Sequence, residues 1–133
     1  MLNITNQSDY AILLISNFVG QKDYIPLSQL TNNLKLPKRF LARIAARLVE
    51  EKILDSKEGK AGGYKLIEKL ENINLYKFLS IFEGELSFVK CSDEKYQCVW
   101  AKRCRQRKFL SSRLNKIVID ELKKWSLNDL LKI

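Results

Sequence analysis

The sequence predicts a mainly α-helical fold with one small β-hairpin, on three observations. Apolar residues recur at helical spacing in several separate stretches, a Gly-rich basic loop lies between two short extended runs, and a long amphipathic stretch sits near the C-terminus. Asp9 to Phe18 opens on a capping residue and sets Ile12, Leu13, Ile15 and Val19 near one stripe, which predicts a first helix on the core. The polar link Gly20 to Tyr24 ends it. Leu27, Leu30 and Leu34 then recur at three and four residues and mark a short second helix. Lys35-Leu36-Pro37 makes a tight turn, because proline suits the start of a helix.

A third helix is expected from Lys38 to about Glu51. At about 100° per residue, Leu41, Ile44, Ala45 and Leu48 fall on one side, with Arg39, Ala42, Arg43, Ala46 and Glu50 opposite. Extended stretches at Ile53–Ser56 and Tyr64–Ile67 flank the loop from Lys57 to Gly63 and predict a basic hairpin. Asn74 to Phe82 reads as a further helix. Gly84 to Lys102 has no clean helical period, and Arg103 to Trp125 reads as a long helix with Leu110, Leu114, Ile117, Val118 and Leu122 as its apolar seam. Ser126 is placed to cap a last short turn.

At 133 residues and 46% hydrophobic, the chain has room for one compact core plus a protruding element. Its formal charge of +9 favours polyanionic partners, since phosphate contacts release counterions. The apolar run Ala11 to Val19 is broken by Ser16 and Asn17 and has no cationic segment before it. It resembles neither a signal peptide nor a membrane span, so a cytoplasmic protein with no membrane partner is expected. Histidine is absent, no phosphate-binding Gly motif follows a strand, and no paired carboxylates mark a cleft. The chain is accordingly not expected to be an enzyme.

Two helices joined by a short turn and followed by a basic hairpin form the layout of a winged helix-turn-helix, whose second helix enters the major groove of double-stranded DNA. Ala42 and Ala46 keep the outward face of that helix low. Lys38, Arg39 and Arg43 are the candidates for the groove and Arg47 for the DNA backbone. In the wing, Lys57 and Lys60 are placed to reach phosphate, and Gly62-Gly63 to let the DNA backbone come close.

Cys91, Cys98 and Cys104 form a Cys-x6-Cys-x5-Cys run. Six residues of helix turn through about 600°, so Cys98 and Cys104 do not share a helical face and the segment must be partly loop. Three cysteines is an odd count for a disulfide framework. Soft thiolates without histidine fit an iron-sulfur cluster better than a complete zinc site. Lys102, Arg103, Arg105, Arg107 and Lys108 would offset the negative charge of such a cluster. Thiols responding to oxidation, or binding zinc, remain the alternative, as does a basic partner-binding module that uses the C-terminal helix only for assembly.

Taken together, several stretches resemble the Rrf-type family of bacterial winged-helix transcription regulators, iron-sulfur sensors such as IscR, NsrR and RirA among them. These are Met1-Leu2-Asn3-Ile4 through Ser8-Asp9-Tyr10-Ala11, Pro37 to Leu54, Gly59-Lys60-Ala61-Gly62-Gly63-Tyr64, Phe82-Glu83-Gly84, the three cysteines and the closing Leu127-Asn128-Asp129-Leu130-Leu131. The resemblance implies a DNA-binding part over 1–84 and, over 85–133, a cysteine-bearing cluster loop with a long C-terminal dimerisation helix. It also implies a homodimer with clusters near its interface, acting as a repressor of iron-sulfur assembly, nitric oxide or redox-stress genes. Asp9 stands where the nitric-oxide sensors carry an aspartate fourth ligand, donated by the other subunit, and is equally placed to cap the first helix. Arg107 occupies the place of a histidine ligand in other members. The Cys-x6-Cys spacing is one residue off the commonest pattern, which leaves a two-iron and a four-iron cluster both open.

Overall fold

The computed structural model describes residues 4–87 and 89–132, so the Met1-Leu2-Asn3 part of the opening motif lies outside it. Six helices and one hairpin follow in the order α1 (Asn6–Ser16), α2 (Leu27–Leu34), α3 (Lys38–Glu50), β1 (Leu54–Lys57), β2 (Gly63–Leu66), α4 (Leu75–Glu83), α5 (Asn115–Lys124) and α6 (Leu127–Leu131). α2 and α3 lie where the leucine spacing places them. The face of α3 that the periodicity sends inward, Leu41, Ile44, Ala45 and Leu48, is the face that is buried.

Two helix starts differ from expectation by more than one residue. α1 starts earlier, with Thr5 at its N-cap, so Asp9 lies inside the first turn and is not the cap. The long C-terminal helix starts at 107 rather than at Arg103, because the chain around Cys104 is still a turn, and it passes through a π-helical segment, Phe109–Leu114, before α5. Ser126 caps α6 as expected. Its hydroxyl accepts from the Asp129 amide, and the Asp129 carboxylate accepts in return from the Ser126 amide, a reciprocal capping box.

β1 and β2 pair antiparallel in the register Leu54 with Leu66 through Lys57 with Gly63. Ile25 adds an isolated bridge to Tyr64, each amide donating to the other residue's carbonyl at 2.8 and 2.9 Å. The core gathers Ala11, Leu14, Ile15 and Phe18 of α1, Leu30 of α2 and the inner face of α3. Ile53, Leu54, Ile73, Phe78 and Ile81 complete its far side, and Leu127 returns to it from the C-terminus. Among the described residues, none from 82 to 126 is buried. The core is therefore built by the first part of the chain, and the cysteine segment with the helix after it lies outside.

Candidate nucleic-acid interface and cysteine segment

Lys35 ends α2 in a left-handed conformation (φ 53) that caps the helix through its amide to the Thr31 carbonyl at 2.8 Å. Three residues later α3 begins at Lys38. Its buried stripe fixes how the helix rolls, and this turns Lys38, Arg39 and Arg43 to solvent. None of the three side chains has a hydrogen-bond or ion-pair partner among the described residues. Three free cations therefore sit in the N-terminal half of α3, on a face where Ala42 and Ala46 add little bulk.

Arg47 is placed differently. Its Nη2 donates to the backbone carbonyl of Ile81 at 2.7 Å, and its Nη1 lies 3.7 Å from Glu50 Oε2. The guanidinium is turned back onto α4.

In the hairpin, Lys57 and Lys60 are exposed. Tyr24, just before the bridging Ile25, donates its hydroxyl to Asp55 Oδ2 at 2.5 Å. That hydrogen bond, helped by burial and the negative charge of Asp55, holds the Tyr24 phenol above its ordinary pKa. The ring lies 5.7 Å from the Lys57 Nζ and 5.8 Å from the Lys65 Nζ. Both ammonium groups are thus steered by one aromatic face. Lys65 and Tyr24 were missed from the sequence, although a period of two across the paired register puts Asp55, Lys57 and Lys65 on one face.

The two wing glycines have internal reasons to be glycine. A Cβ on Gly62 would lie 2.2 Å from the Lys57 carbonyl oxygen, and one on Gly63 (φ +141) would lie 2.2 Å from that of Ile25. The close approach that requires them is to the protein's own backbone.

The end of α4 carries a contact that sequence reasoning did not find. Glu83 Oε1 accepts from the Thr5 amide at 2.8 Å, the Thr5 hydroxyl at 2.7 Å and the Ser8 hydroxyl at 2.5 Å. Burial works to raise the Glu83 pKa. The hydrogen bonds from Ser8 and Thr5 outweigh it and hold the carboxylate below its ordinary value. Ser8 is fully buried, so this bond also satisfies its hydroxyl.

Cys91 lies in a short 3-10 turn (Lys90–Ser92), Cys98 begins a turn in which the Ala101 amide donates to its carbonyl at 3.2 Å, and Cys104 precedes the helix at 107. All three are free, half-buried thiols. Asp9 is exposed on α1. Among the described residues no three Cys, Asp, Glu or His side chains are gathered to hold a metal ion. The single chain as folded does not gather Cys91, Cys98 and Cys104 into one donor set, and the expected fourth ligand, Asp9, is one that a second subunit would donate. No helix among the described residues is long and apolar enough to cross a membrane.

A helix-turn-helix with a hairpin wing and free arginines on its second helix defines a winged-helix DNA-binding protein. A family described as "Iron-dependent Transcriptional regulator", Rrf2, matches residues 4–133, and the chain belongs to that family. It is a DNA-binding transcription regulator and not an enzyme. It is 24% identical to the HTH-type transcriptional regulator NsrR of Bacillus subtilis, over 98% of this chain and 91% of that protein. Among solved structures it is similar to a putative transcriptional regulator from Listeria innocua (TM-score 0.75, 26% identity, 98% of this chain and 86% of that one). It is also similar to CymR, described as the global cysteine regulator of B. subtilis (TM-score 0.73, 21% identity, 98% and 97%).

Proposed function

We propose that the chain is a cytoplasmic, dimeric repressor that reads promoter DNA with α3 in the major groove and the β1–β2 wing on phosphate, and whose DNA affinity is set by chemistry at Cys91, Cys98 and Cys104. The observation that carries the DNA half is the unpartnered trio Lys38, Arg39 and Arg43 on the outward face of α3. Arginine at the start of a recognition helix matches guanine edges bidentately. Lys57 and Lys60 supply phosphate contacts that orient without reading sequence.

Dimerisation is supported by the burial pattern. Phe109 is 53% and Ile117 61% exposed on a helix with no buried residue, and an apolar face of this kind is stable in water when a second copy covers it. The division into a DNA-binding part over 1–84 and a sensing and assembly part over 85–133 follows the same pattern, with Ile81 the last core residue before the cysteines.

For the sensing chemistry, an iron-sulfur cluster is supported by three soft donors within one segment and by the iron dependence in the family's description. The placement of the thiols in the single chain favours a second reading, in which free half-buried thiols respond directly to oxidation.

The DNA half is tested with a duplex selected by the wild-type protein from a random pool. Arg39→Ala and Arg43→Ala are each expected to weaken binding by about 1–3 kcal/mol, and unchanged binding removes α3 as the reading helix. The sensing half is tested by iron and sulfide content after anaerobic reconstitution. Iron and sulfide bound in wild type and lost in Cys98→Ala support the cluster; a colourless protein whose DNA affinity changes on mild peroxide treatment supports the thiol reading.

A further inference from the structure

Three parts of the chain meet at the last turn of α4. From α3, Arg47 reaches across to the Ile81 carbonyl. From α1, Thr5 and Ser8 close on Glu83 through three hydrogen bonds to one oxygen. One residue on, Gly84 (φ 73) turns the chain toward the cysteine segment. Nothing lies within 4 Å of the place a Gly84 Cβ would take, so backbone freedom, not room, is what glycine supplies there.

The carbonyls of a helix's last turn have no partners within the helix and carry its negative dipole end. Ile81 lies in that turn of α4, so a guanidinium is a well-matched donor to its oxygen. An Arg47 engaged there, with Glu50 beside it, is poorly placed to serve a phosphate. It is well placed to fix how far α3 stands from α4.

We infer that Arg47 is a positioning residue and not a phosphate contact. It pins the recognition helix to the end of α4, and with Glu83's hold on α1 it makes residues 81–84 the joint through which the cysteine segment adjusts the seating of α3 on DNA. This role rests on α3 being the DNA-reading helix proposed above.

The test is fluorescence anisotropy with the selected duplex at several salt concentrations, using full-length Arg47→Met, Glu83→Gln, the double variant and Arg43→Ala, with circular dichroism melts to confirm folding. Arg47→Met keeps the apolar stem and removes the donor. It is expected to lower affinity about fivefold to tenfold with the log-log salt slope unchanged, because no phosphate contact is lost. Glu83→Gln, at a residue argued to lie away from DNA, is expected to lower affinity several-fold, and the double variant to lose less than the two singles combined.

A salt slope reduced by about one in Arg47→Met makes the residue a phosphate contact and overturns the inference. So does wild-type affinity in Glu83→Gln, or losses that simply add. If Arg47→Met does not fold, the Glu83→Gln arm decides alone. Arg43→Ala separates the two levels: no loss of affinity there refutes α3 as the reading helix, whereas a loss there with a failed Arg47 or Glu83 arm refutes only the joint.

Discussion

Replacing Gly63 by alanine distinguishes a glycine required by the protein's own packing from one required by DNA. The residue sits at φ +141, and its new Cβ would stand 2.2 Å from the Ile25 carbonyl oxygen, a distance that only displacement of the backbone relieves. Strain of a side chain in this backbone region costs about 1–3 kcal/mol. Displacement breaks the two hydrogen bonds between Ile25 and Tyr64, at about 1 kcal/mol each. The expected loss is thus about 3–5 kcal/mol, a large share of the roughly 5–15 kcal/mol that stabilises a domain. With a urea m-value of about 2 kcal/mol/M, the unfolding midpoint falls by about 1.5–2.5 M. Gly59→Ala is the control: it has positive φ (+105) but nothing within 4 Å of its Cβ, so it carries strain without the clash. A Gly63→Ala protein that unfolds within about 0.5 M of wild type while losing DNA affinity would refute the internal account and return the glycine to the DNA interface.

The other expectations concern the acid limb, the C-terminal cap and assembly. Glu83 has a folded pKa below its ordinary 4.5, so its contribution to stability is complete above about pH 5 and is lost as pH falls through the depressed folded value. Glu83→Gln should therefore lower stability at neutral pH and flatten its decline below that range in chemical unfolding, and an unchanged acid limb would count against the clasp. Ser126→Ala removes the α6 capping box and should cost about 1 kcal/mol in a thermal melt. Ile117→Glu places a charge on the exposed apolar face of α5 and should shift the protein from dimer to monomer in sedimentation equilibrium with its helix content unchanged. The same sedimentation behaviour in wild type and variant would mean that this face is not the contact.

Much of the DNA-binding part was legible because its signals are local. Leucines at three- and four-residue spacing and a proline turn locate α2 and α3 without reference to the rest of the chain. The wing follows from glycines between two short extended runs. Features set by partners distant in sequence were not legible. Arg43 and Arg47 lie on the same stripe of α3, and no periodicity separates the arginine left in solvent from the one drawn to a carbonyl 34 residues away. Asp9 looked like a cap because the true N-cap, Thr5, makes no capping bond with its own side chain, while its amide and hydroxyl are spent on Glu83. The start of the C-terminal helix was misplaced because basic residues around Cys104 continue a helical composition through what is a turn, and a π-helical segment has no compositional mark.

The burial pattern restricts how thiol chemistry can reach DNA. Since no described residue from 82 to 126 is buried, rearranging the cysteine segment disturbs little of the core and belongs to the low end of local stability. A change confined there would be mechanically silent unless some element carried it inward. In the proposed switch α4 would be that element: α5 packs along it, with the Lys123 Nζ 4.9 Å from the Tyr76 ring, and its last turn holds both Arg47 of α3 and the start of α1. The link between α5 and α6 fastens its first turn, where the Leu75 amide donates to the Trp125 carbonyl at 2.8 Å. α4 is thus held at its first turn by backbone hydrogen bonds and at its last by side chains, and on the proposed reading the last turn, which faces α3, is where it would yield.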